Sequence, residues 1–196
     1  MDSPLNVLEA MADVPAGPDE HHGEGSVLQH TVLVAEEMAQ LHPDDPVATL
    51  MAWSHDIGKI ATPAEDLPHH YNHDARGAEL IRELPDGWLS EEATQIAAET
   101  AKQHMRFKSL PDMRAAKAIR LVTALDDVGI TAERMRDLVV ADQRGRIPQR
   151  SADVAALESC IDAVHTAQAE LDESEIANEQ HRLQELVRLY RDANSN

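Results

Sequence analysis

Cysteine, aromatic residues and lysine are all scarce in this 196-residue chain. The single cysteine, Cys160, excludes an internal disulfide, and the simplest compartment for such a chain is a reducing cytoplasm. Cys160 stands at helical spacing from Leu157, Ile161 and Val164 and reads as a packing thiol rather than a nucleophile. Two tryptophans, two tyrosines and one phenylalanine leave the core to Leu, Val, Ile, Ala and Met. No stretch approaches the roughly 18 consecutive apolar residues of a membrane span. Met1-Asp2-Ser3-Pro4 offers no basic segment before an apolar one, so neither a membrane helix nor a signal peptide is expected. Alternating β-branched runs between turn signals are missing too, as are internal repeats, while apolar residues recur at three- and four-residue spacings; the expected class is all-α, a helical bundle.

Acidic residues are what the chain has in excess: 36 Asp and Glu against 17 Lys and Arg give a net charge of −19, and only 4 of the basic residues are lysine. Such a surface repels nucleic acid at low ionic strength and repels itself unless salt screens it. A halophilic source with a high-salt cytoplasm explains both the acidity and the scarcity of lysine; a GC-rich genome also favours Arg over Lys.

Capping and turn residues divide the chain into helices. Ser3 and Pro4 open a short one to residue 12, and Val14 to Gly25 is a loop with exposed His21 and His22. Ser26 caps a helix to about Leu41 that carries His30. Pro43-Asp44-Asp45-Pro46 starts another, which ends in His55-Asp56 with Gly58 suited to a left-handed position beyond it. After a loop from Ala61 to Asn72, helices are expected from His73 to Leu84, Ser90 to Met105, Pro111 to Leu125 and Thr131 to Asp142. Phe107, Lys108 and Leu110 form a loop that either lies beside a substrate or packs. From Ser151 onward, Val154, Leu157, Ile161 and Val164, then Ile176, Leu183, Leu186, Val187 and Tyr190, mark amphipathic C-terminal helices. The expected organisation is a domain over 1–150 and an extension over 151–196, which packs on that domain, forms a homodimer contact or holds a partner protein.

The chemistry centres on Trp53-Ser54-His55-Asp56-Ile57-Gly58-Lys59. An adjacent imidazole and carboxylate at a helix end suit a borderline or hard divalent ion such as Mg, Mn, Ni, Co, Fe or Zn. His73 and Arg76 open a helix whose free amide hydrogens and dipole favour an anion. Asp142 closes a helix where no apolar pattern explains a carboxylate, and Arg144 and Arg146 beyond it either bind phosphate or pair with surface carboxylates.

The order His30, His55-Asp56, His73, His104, Asp142 resembles the signature of the HD-domain metal-dependent phosphohydrolases. The words His55-Asp56-Ile57-Gly58-Lys59, Leu67 to Gly77 and Asp142 to Arg146 are similar to the HD domain of bacterial CCA-adding tRNA nucleotidyltransferases and to the HD module of polynucleotide kinase fusions. The likeness runs from about His21 to Arg150. It implies metal ligation by His30, His55, Asp56 and Asp142, a catalytic set of His55, Asp56, Lys59, His73 and His104, and substrate contacts from Lys59, Arg76, His22, Arg144 and Arg146. His73 and His104 either neutralise phosphoryl charge or hold a second metal. The implied substrate is a nucleotide or RNA end bearing a 2′-phosphate or 2′,3′-cyclic phosphate. These residues contain no G-x-x-x-x-G-K-[ST] loop and no nucleotidyltransferase domain, so the kinase and nucleotidyl-transfer activities do not carry over. The rival class is a non-hydrolytic nucleotide-binding module that signals through the C-terminal helices.

The acidity generates a test: the thermal unfolding midpoint should rise between dilute and molar salt. A midpoint that stays level removes the high-salt expectation.

Overall fold

Side-chain oxygens open most of the helices. Ser3 accepts from Asn6 N ahead of α1 (Pro4–Asp13), and Ser26 accepts from Gln29 N ahead of α2 (Val27–Leu41) in a reciprocal capping box. Asp45 accepts from Val47 N and Ala48 N to start α3 (Pro46–Ser54). Asn72 turns the chain into α4 (His73–Arg82) from the left-handed region, with φ 56°. Ser90 caps α5 (Glu91–Phe107), α6 (Ala115–Asp126) follows Arg114 without a side-chain cap, and Thr131 caps α7 (Ala132–Arg144). The chain closes with α8 (Val154–Asp172) and α9 (Glu179–Ala193). Each side-chain cap stabilises its helix by about 1 kcal/mol. This computed structural model describes residues 3–172 and 179–194; among them no strand forms, and no helix is long and apolar enough to cross a membrane. The all-α expectation holds.

Two boundaries differ from the sequence reading. Pro111 starts only a one-turn 3-10 helix (Leu110–Asp112); Met113 is extended, and α6 begins afresh at Ala115. Phe107 and Leu110 are fully buried in the core, so packing is their role. Gly58 is not left-handed. It lies inside a 3-10 turn (Ile57–Ala61) that continues from α3, and its lack of a side chain serves close packing instead. A Cβ there would collide with the His73 carbonyl oxygen and the Gly77 backbone of α4. Gly77 answers from the other side, where a Cβ would stand 3.1 Å from Gly58 N and 3.2 Å from the Ala101 side chain of α5.

Two apolar clusters flank the interior. The larger draws Val34 and Met38 from α2, Met51 from α3, Phe107, Ile119 and Leu125, Met135 and Leu138 from α7, and Leu157, Ile161 and Val164 from α8. Leu183, Leu186 and Val187 of α9 pack against it and Tyr190 is buried in it, so the narrow C-terminal stripe faces the chain's own core. Ile176 lies outside the described residues. The smaller cluster joins Val7, Met11, Val27, Ile57, Ile81, Ala97 and Ala101. Helix α2 contributes Val27 to the smaller and Val34 to the larger cluster, and His30 lies between them. The buried His30 imidazole therefore stands where α2 passes from one cluster to the other.

Gly58→Ala tests this packing. The added methyl has backbone on the facing side and no flexible side chain to displace. Overpacking of about 2–3 kcal/mol should lower the melting temperature by about 5–10 °C, and an unchanged melt would contradict the backbone contact.

Candidate metal centre

Helix α3 ends one residue before the His-Asp pair, and the chain then tightens. His55 N still donates to Met51 O, while Asp56 takes φ −108° and ψ 6° and leads into the 3-10 turn. That tightening points Asp56 inward, 3% exposed, and brings Lys59 back onto it, with Nζ 2.7 Å from Oδ2. Lys59 also donates to Ala16 O at 2.7 Å, so its head is held at both ends.

The two oxygens of Asp56 face two sets of donors. Oδ2 lies 3.4 Å from His55 Nε2 and 3.5 Å from His30 Nε2, and His30 Nε2 lies 3.1 Å from Asp142 Oδ1. Ligand atoms of His30, His55, Asp56 and Asp142 all fall within 4.8 Å of one another. Oδ1 lies 3.2 Å from His73 Nε2 and 3.4 Å from His104 Nε2, a second set that shares Asp56.

Backbone carbonyls fix the histidine tautomers. His55 Nδ1, His73 Nδ1 and His104 Nδ1 each lie 2.8 Å from a carbonyl three residues earlier, of Ala52, His70 and Ala101. A carbonyl only accepts, so each Nδ1 carries a proton and each ring turns its Nε2 towards Asp56. His55 Nε2 is buried without a hydrogen-bond partner, and His73 Nε2 and His104 Nε2 stand 3.3 Å apart. Three Nε2 nitrogens gathered on one carboxylate need positive charge among them, as protons or as a metal ion. This donor set fits a divalent metal with nitrogen and oxygen ligands.

Charge balance points the same way. Burial pushes the Asp56 carboxyl upward, but Lys59, His55 and His104 outweigh it and hold the group well below the usual carboxylate range. Asp142 is likewise held low against burial by His30 and by Arg146, whose Nη2 donates to both carboxylate oxygens at 2.9 and 3.0 Å. Three buried carboxylates, Glu24, Asp56 and Asp142, thus meet two fixed cations, Lys59 and Arg146. The remaining positive charge falls to His30. Burial would lower its pKa, but Asp142 and Glu24 outweigh burial and raise it to about 9.

Glu24 is the residue that sequence reasoning missed. It accepts from His22 Nδ1 at 2.6 Å and from Ile147 N at 2.9 Å, and its Oε1 lies 2.9 Å from His30 Nδ1, off the line of a good hydrogen bond. Burial raises its pKa, yet His30, its own amide and His22 bring it down to about 2. The expectation of an exposed His22 is corrected. Its loop closes on itself through Ala16 N to Gly25 O and Val27 N to Val14 O, which leaves His22 only 5% exposed. Arg146 Nη1 donates to His22 Nε2 at 3.1 Å, and burial together with Lys59 lowers the His22 pKa to about 4, so the ring is neutral. His70 was also passed over. Its Nε2 donates to Pro15 O and its Nδ1 accepts from Thr62, both at 2.8 Å, which ties the 61–72 loop to the 14–26 loop.

A cleft of about 220 Å³ opens onto Asp56, Lys59, His73, His104 and Asp142 and is also lined by His22 and Arg146. Larger cavities elsewhere contain none of these groups. Arg76 and Arg144 do not line the cleft. Arg144, two residues past Asp142 and so on the opposite side of α7, pairs with Glu37 at 3.5 Å, and Arg76 turns Nη1 into the protein without a hydrogen-bond partner.

A family model for the HD domain matches residues 27–142, from the first residue of α2 to the aspartate in the last turn of α7. The multifunctional CCA protein of Verminephrobacter eiseniae is 33% identical over 175 residues, 83% of this chain and 41% of the relative. The protein of the same name from Azoarcus sp. is 30% identical over 174 residues, 84% of this chain and 41% of the relative. That from Actinobacillus pleuropneumoniae is 30% identical over 137 residues, 66% and 33% respectively. The chain spans less than half the length of these curated relatives. No solved structure matches it.

A metal that takes His30 Nε2 must displace the proton held there. With the His30 pKa raised to about 9, the ring is charged at neutral pH, and apparent metal affinity should climb about tenfold per pH unit from 7 towards 9 and then level off. Calorimetric titration in buffers of different ionisation enthalpy would show the released proton. A flat affinity profile would take His30 out of the ligand set.

Proposed function

This chain belongs to the HD-domain family, and from that membership we propose that it hydrolyses phosphoesters of nucleotides or RNA ends, with a 2′-phosphate or 2′,3′-cyclic phosphate preferred. As a member it is a metal-dependent hydrolase of the HD superfamily. The observation that carries the finer reading is Asp56 itself: one buried carboxylate shared by two donor sets, at the floor of a cleft that also carries Lys59 and Arg146. The likeness to the HD domain of CCA-adding tRNA nucleotidyltransferases supports RNA or nucleotide ends as the substrate class.

His30, His55, Asp56 and Asp142 would hold a divalent ion, which would supply Lewis acidity at a phosphoryl oxygen and lower the pKa of a bound water. The chain's own groups do the rest. Lys59 and Arg146 are held by buried carboxylates before any ligand arrives, so their charge meets the phosphoryl oxygens without reorganisation. His22, neutral and fixed between Glu24 and Arg146, keeps that guanidinium in place. His73 and His104, with Nδ1 anchored on carbonyls, present Nε2 either to the phosphoryl group or to a second ion. The single buried cysteine supports a reducing, cytoplasmic setting.

Metal-reconstituted protein in molar salt should release phosphate from 2′-AMP and open 2′,3′-cyclic AMP. Asp56→Ala should lower turnover on the order of 10³-fold, as for loss of a principal charge-stabilising group. No turnover above this variant on either compound, on 3′-AMP or on a simple phosphodiester would sink the hydrolase reading in favour of a nucleotide-binding module.

A further inference from the structure

The cleft has two unlike halves. Its floor is the buried set of Asp56, His104 and Asp142, while its rim carries Tyr71 at 60% and Met105 at 41% exposure. Tyr71 is one of only five aromatic residues in a chain whose core is aliphatic, and it stands in solvent beside the site. It is backed by His69, with ring centroids 6.0 Å apart and planes at 25°, and that ring lines the same cleft.

The segment bearing Tyr71 is fixed on both sides. His70 before it has both ring nitrogens committed, to Thr62 and to Pro15, and its carbonyl accepts from His73 Nδ1. Asn72 after it takes the left-handed conformation, which turns the chain from the tyrosine straight into the candidate ligand His73. A rigid backbone lowers the entropy lost when an exposed aromatic side chain receives a ligand.

We propose that Tyr71, stacked on His69, is the platform for a single nucleobase of the substrate, with its phosphate directed at the floor. The proposal rests on the phosphoester reading of that floor and names the group that the rim recognises. A base offers a planar face that stacks on an aromatic ring in water, and Met105 supplies a further apolar contact. A net charge of −19 disfavours binding that follows a nucleic-acid backbone through its phosphates. One stacked base beside one phosphate suits a mononucleotide or the last nucleotide of a strand.

The test compares kcat/KM of metal-reconstituted protein for 2′-AMP and for glycerol 2-phosphate, which has no base, in wild type, Tyr71→Ala and Tyr71→Phe. Binding of 2′-AMP to the metal-free proteins is measured by equilibrium dialysis. The expected result is a wild-type preference for 2′-AMP carried mainly by KM, cut at least about tenfold in Tyr71→Ala, within the range one stacked base contributes, and retained in Tyr71→Phe. Hydrolysis with the preference intact in Tyr71→Ala overturns the platform and leaves the phosphoester reading standing. Absent hydrolysis, with 2′-AMP binding weakened in Tyr71→Ala and kept in Tyr71→Phe, does the reverse. Neither hydrolysis nor binding in the wild type overturns both.

Discussion

A carboxylate removed from water must be answered by positive charge, and Asp56 is where this fold faces that demand most directly. Its neighbours form a chain of consequences. Lys59 reaches it only because α3 gives way to a 3-10 turn, and the same ammonium ties down Ala16 in the first loop. His73 reaches it because the His70 carbonyl orients the ring, and His70 in turn holds Pro15. The two loops that close the cleft are therefore bound into the electrostatics of one side chain.

The cleft carries its positive charge on fewer groups than its histidine content suggests. His22, buried, and His70, half-buried, are neutral rings, each with a pKa lowered to about 4 by desolvation and by the nearby Lys59. They serve as hydrogen-bonded spacers. The positive charge belongs to Lys59, Arg146 and the His30 imidazolium, all facing buried carboxylates, while the excess of acid is carried by the rest of the chain. A small anion entering the cleft meets Lys59 and Arg146 already in place, whereas the net-acidic remainder of the chain would repel it.

Much of the helical framework was legible in the sequence because its signals are local. A cap acts over three residues, and Ser3, Ser26, Asp45, Ser90 and Thr131 each start the helix they precede. The His and Asp order was legible through family likeness, and the structure gathers those residues at one point. Glu24 and His70 were not legible, since Ile147 and Pro15, which help fix them, lie 123 and 55 residues away in the chain and no spacing rule links them. The arginines show the limit of proximity in sequence. Arg146 lies one helical turn from Asp142 and reaches it, while Arg144 is closer in the chain and faces Glu37.

The contact between Gly58 and Gly77 sets backbone against backbone next to the candidate ligands, with the His73 carbonyl among the atoms in the way of any added side chain. The spacing between the His55–Asp56 turn and the start of α4 is thus set by the main chain and not by the size of an intervening residue. Substitutions can accumulate in both flanking apolar clusters over evolutionary time while that spacing stays constant, so the scaffold is free to drift and the chemistry is not.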